Sequence, residues 1–201
     1  MEGSSFMPHY LRLVLVLVVC SLISLASIAP KRSSAKRAEE EPKVVRANYI
    51  VATTDDFIVD VYHNGRHVPD SKREMLEEIH GAMIEKIKIT VWKGDWVVFN
   101  VVNNHLRWNG QIYFGAAGCF NTNEFGFVSK ADDGNWSVCD HLSAVDRFIS
   151  EPGFQRHHPA LKIENAWGAG ESKMKEYAGS NWSGEGIWGS RHISWIKVNV
   201  E

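Results

Sequence analysis

The sequence is short of the motifs that carry well-known chemistry. It has no CxxC pair, no His-x-His, no HExxH and no Gly-x-Ser-x-Gly elbow. That leaves no recognisable zinc-binding spacing and no serine-nucleophile turn. Charge of one sign is lacking too: the formal net charge is −2, which argues against a nucleic-acid partner. No internal repeat is evident. Cysteine numbers only 3. Tryptophan is missing from the first 90 residues, and all 8 tryptophans come later. A ligand site built on tryptophan is therefore expected beyond residue 90.

What is present begins with an apolar run, "LRLVLVLVVCSLISLASIAP", behind a short basic start. Ser24 and Ala26 supply a small-x-small cleavage signature, so residues 1–29 read as a signal peptide, or as a membrane anchor if uncleaved. Cleavage is expected near residue 26. Residues 30–46 hold six basic and three acidic side chains and almost no large apolar ones, the composition of a disordered linker. The folded segment is 47–201, with 15 basic and 20 acidic residues. This places the protein outside the cytoplasm: secreted, periplasmic or at the cell surface. Membrane contact would come only through an uncleaved N-terminal segment. Cys119 and Cys139 remain in the mature chain, and two cysteines in an exported protein predict one disulfide.

The folded segment has the pattern of an all-β protein. "NYIVATT" alternates apolar and polar residues, and "DFIVDVYHNGRHV" predicts a hairpin closed by Asn64-Gly65, since both tolerate positive φ. In its first strand Phe57, Val59 and Val61 share one face. "DSKREMLEEIHGAM" predicts the one short helix, with Asp70 or Ser71 as cap and Gly81 as stop. "EKIKITVWKGDWVVFNVVNN" predicts a second hairpin around Lys93-Gly94-Asp95. Further strands are expected in "QIYFGAAGCF", "FGFVS", "NWSVCD", "ALKIEN" and "HISWIKVNV", and a long loop over "WGAGESKMKEYAGSNWSGEGIWGS". Many short strands with one helix imply a β-sandwich or jelly roll.

In the order of these pieces the chain resembles the galactose-binding-like β-sandwich, and in particular the accessory domains of bacterial α-L-rhamnosidases. The likeness rests on Asp55, Asp56, Asn64, Gly65, Gly94, Asp95, Gly115, Gly118 and Trp136, together with the closing "IWGSRHISWIKV". A PA14-like barrel, which also uses an Asp-Asp pair, is the nearest rival. The resemblance implies a hairpin closed by Asn-Gly and an Asp pair that opens the strand. Adjacent strand residues face opposite sides, so Asp55 and Asp56 do not suit a general acid/base couple. Calcium is the cofactor they would take, if any.

The candidate ligand residues are aromatic and polar groups in loops. Trp108 sits among Asn104, Arg107 and Asn109, and Trp167, Tyr177, Trp182 and Trp188 lie in the glycine-rich tract. Sugar rings stack on such platforms while amides and guanidinium groups read hydroxyls. The histidines look scattered, and His157-His158 are neighbours that a strand would split. No catalytic residue and no metal ligand is singled out. The expected function is an exported non-catalytic module binding carbohydrate or another extracellular polymer. The alternatives are an extracellular protein-interaction or structural module, and third a divergent or accessory glycoside hydrolase.

Overall fold

The computed structural model describes residues 42–79, 82–103, 112–155, 157–163 and 168–201. Their strands fall into two sheets and a two-stranded ribbon, and every pairing is antiparallel. The ribbon joins β1 (Val45–Ala47) to β7 (Val91–Trp92). The first sheet contains β2 (Tyr49–Asp55), β5 (Arg73–Ile79), β6 (Ala82–Ile87), β9 (Phe114–Asn121), β10 (Glu124–Val128), β13 (Leu161–Lys162) and β14 (Ile187–Trp188). Its order is β13-β14-β9-β2-β6-β5, with β10 also on β9. The second sheet runs β12-β11-β15-β8-β3-β4. Its members are β3 (Phe57–His63), β4 (Arg66–His67), β8 (Trp96–Val102), β11 (Trp136–Cys139), β12 (His158–Pro159) and β15 (Ile193–Asn199).

Period-two alternation builds the layer between the sheets. Ile50, Ala52, Phe114 and Ala116 point inward from the first sheet. Val97, Phe99, Val101, Trp136, Ile196 and Val198 meet them from the second. Ring centroids of Phe99 and Phe114 lie 4.9 Å apart, and those of Phe114 and Trp136 6.1 Å. Each outer face has its own smaller core under one helix. Helix α1 (Val145–Ser150) seats Phe148 on Val98, Cys139 and Trp195. Helix α2 (Gly168–Tyr177) seats Met174 on Val51, Ala117 and Cys119. The result is an all-β sandwich with one helix laid on each outer face.

The chain passes from the first sheet to the second at Asp55-Asp56. Asp55 ends β2, Phe57 begins β3, and Asp56 makes the corner at φ 67°. The Asn64-Gly65 turn forms as expected, with φ 50° and 76°. A bulge between Ile58 and Asp60 alters the expected face of β3. Val61 is buried, whereas Phe57 and Val59 are 45% and 47% exposed.

Several sequence expectations are corrected. Residues expected as a helix from Asp70 form only a 3-10 turn, Asp70–Lys72, followed by edge strand β5. The charges that suggest a helix face instead pair across strands: Glu74 binds Lys88 at 2.9 Å and lies opposite Lys86. Arg73 closes the corner of the sandwich. It holds Glu85 of its own sheet and donates to the carbonyls of Val59 at 2.9 Å and Ile58 at 2.7 Å on the other. Packing thus overrides helix propensity. The second expected hairpin is split: its turn forms, but β6 joins the first sheet, β8 the second, and β7 pairs with β1. The glycine-rich tract expected as loop carries α2.

The expected Cys119–Cys139 disulfide is not formed. Both are buried free thiols. Cys119 lies under α2 and Cys139 under α1, on opposite outer faces of the sandwich.

Candidate functional site

The candidate site gathers at the margin of the second sheet, where β11 ends and β12 forms the edge. Its anchor is Asp140, the residue after β11 and itself buried. One carboxylate oxygen accepts from Ser194 Oγ at 2.6 Å. The other accepts from Ser190 N and Ser190 Oγ, both at 2.7 Å, and contacts His158 Nε2 at 3.2 Å. Burial by itself would raise this carboxyl, but the bonds from Ser194, Ser190 and His158 outweigh it and hold it below the usual carboxylate range. The "WGSRHIS" stretch supplies this cradle. Trp188 is fixed in the core with its Nε1–H on Arg191 O at 2.6 Å, and Ser190 and Ser194 turn onto Asp140 from either side of that bend.

Joined to this cradle through His158 is a cavity of about 400 Å³, lined by Val138, His141, Ser143, Ala144, His157 and His158. A second hollow of about 230 Å³ is bordered by Asp140, Leu142, Arg191, Ile193 and Trp195. The first has the size of pockets that take a small ligand. His158 is held at both ring nitrogens, by Asp140 and, at 3.0 Å, by Pro159 O. His157 packs 6.1 Å from the Phe148 ring, and its pKa is lowered by burial, then by the charge of nearby Lys197.

Lys197 stands behind this wall. It is 1% exposed, its Nζ donates to Glu151 O at 2.8 Å, and it lies 4.2 Å from the Phe148 ring centroid. Burial pushes its ammonium down to about 8. The carboxylate of Glu151 is turned away to Arg147, which grips it through two contacts of 2.9 Å.

The residues expected from sequence are distributed differently. Trp108, Asn104, Arg107, Asn109 and Trp167 lie outside the described residues. Trp182 and Trp188, expected as exposed platforms, are core side chains with 3% and 1% exposure. Trp182 packs with α2 on the outer face of the first sheet, while Trp188 sits between the sheets. Tyr177 is half-buried on α2 and donates its hydroxyl to Glu77 Oε2 at 2.9 Å. The structure does not bring these three together. Among the described residues no group of three or more His, Cys, Asp and Glu side chains is arranged to hold a metal ion. At the sheet-switching corner, Asn103 Nδ2 donates to Asp55 at 2.9 Å. Burial and the Asp56 charge raise Asp55 to about 6 against that hydrogen bond.

Sequence reasoning passes over Asp140, His141, Ser190 and Ser194 as a group, since up to 54 residues separate Asp140 from its partners. The one local signal is the repeated polar spacing in "GSRHIS". Comparison of the chain with family models, with curated proteins and with solved structures gives no match.

Proposed function

We propose that this domain is an exported, non-catalytic binding module of galactose-binding-like sandwich type, and that its ligand, a saccharide, seats in the cavity of His141, His157 and His158. The observation that carries the reading is a ligand-sized cavity lined by three histidines and a serine, in which His158 is fixed between Asp140 and Pro159 O. Its wall is largely apolar around a volume suited to one or two sugar rings, with a few imidazole and hydroxyl groups to read hydroxyls.

A protein-interaction module is the second reading. It draws on Phe57 and Val59, which the bulge leaves half exposed on β3. A glycan array followed by calorimetry on the full-length chain separates the two. Saturable saccharide binding that weakens at least tenfold in His141→Ala supports the module proposed here. Hydrolysis of a glycoside or ester by the chain, or binding untouched by His141→Ala and lost in Val59→Asp, overturns it.

A further inference from the structure

The cavity lining holds three histidines and no carboxylate. Asp140, the carboxylate nearest to it, is buried and saturated by Ser190, Ser194 and His158. Glu151 is spent on Arg147. Behind the cavity stands Lys197, which has no carboxylate within ion-pair distance among the described residues. A buried ammonium held only by a carbonyl and a ring face keeps much of its field, because water does not screen it.

We propose that the ligand of the cavity carries an acidic group, a carboxylate or a sulfate on a sugar ring, which sits against His141 and His157 with Lys197 behind them. The inference rests on the binding-module reading and names the ligand class of that site. Anionic oxygens accept from imidazole N–H groups in short charge-assisted bonds. Nothing in the cavity lining repels them, since that lining contains no carboxylate.

A linkage to pH follows. His157 packs on the Phe148 ring of α1, stands near Lys197 of the sheet, and shares the cavity lining with His141 and His158. Its proton is disfavoured in the free protein by burial, then by Lys197. A bound anion reverses that balance, so binding takes up a proton and tightens as pH falls.

Calorimetry on the full-length chain tests this with three probes at pH ~5.5 and ~7.5, which bracket ordinary imidazole titration: a glucuronate-containing disaccharide, its neutral glucose parent, and a sulfated monosaccharide. The expected result is acidic sugars binding about tenfold or more tighter than the neutral parent at the lower pH, with the gap narrowing at the higher. His157→Ala should flatten the pH dependence, and Lys197→Met should weaken the acidic sugars several-fold while sparing the neutral one. Equal affinity for acidic and neutral sugars at both pH values overturns the inference and leaves the module reading standing. No saturable binding by any of the three overturns both. Inorganic sulfate competing as well as sulfated sugar upholds the anion site and overturns the saccharide.

Discussion

A Cβ atom on Gly189 would lie 2.5 Å from Asp140 Oδ1 and 2.5 Å from Ser194 Oγ. The buried carboxylate and its hydroxyl partner occupy the space that any other residue's side chain would need. Gly189→Ala therefore drives apart a hydrogen-bonded pair with no room to retreat, and a loss of about 2–3 kcal/mol is expected in urea denaturation. Asp140→Ala, which strips the acceptor from Ser190, Ser194 and His158, should cost about 3 kcal/mol or more. A loss below about 0.5 kcal/mol for both would show the cradle to be slack.

Lys197 should make the fold more stable in alkali. Its folded pKa, near 8, is below the ordinary value of 10.5, so between those limits the unfolded chain binds more protons. Its contribution is present in full above pH 10.5 and is lost as pH falls through 8. Lys197→Met removes the buried charge and should raise stability at pH ~7 by about 1–2 kcal/mol while abolishing that rise. Denaturation midpoints collected across the window decide it, and a variant less stable than wild type at neutral pH would contradict the burial argument.

At Asp55 the sign is opposite. The folded carboxyl titrates near 6 against an ordinary 3.8, so stability from this group is present below 3.8 and lost as pH climbs through 6. Asp55→Asn keeps the shape without the charge. A gain of about 1 kcal/mol at pH ~7, vanishing near pH ~4, is expected from thermal melts in matched buffers. The gain should be small because the group is only partly buried.

The two thiols should be silent. Cys119 and Cys139 lie beneath different helices, and burial pushes the Cys119 thiol up to about 11. Neither should label with a maleimide until the domain unfolds, and reductant should leave the melting temperature unchanged. A shift of several degrees on reduction would require a bond that the fold keeps apart.

The frame of the sandwich was readable from alternation and turn chemistry. Val97, Phe99 and Val101 point inward as period two requires, and Asn64-Gly65 makes its hairpin. Misreadings arose where a tertiary partner outweighs local preference. Arg73–Ile79 is strand because β6 offers an edge, and Glu85 with two carbonyls satisfies Arg73. Trp182 and Trp188 looked like loop aromatics because glycine and serine surround them, yet both are buried. The site was hidden for a different reason. His141 and His157 come together through a 3-10 turn and α1, and Asp140 meets Ser190 only through the pairing of β11 with β15. Such long-range juxtaposition leaves no period in the sequence.

Arg73 has one more consequence. It ties edge strand β5 to backbone carbonyls of the opposite sheet, so one margin of the sandwich is pinned across its thickness. The other margin ends in β12 and β13, with two residues each. The two layers therefore resemble a book with its spine at Arg73 and its fore-edge at the histidine cavity. Under heat or denaturant the pages part at the fore-edge first, and amide exchange should be quick in β12 and β13 and slow in β3 and β6.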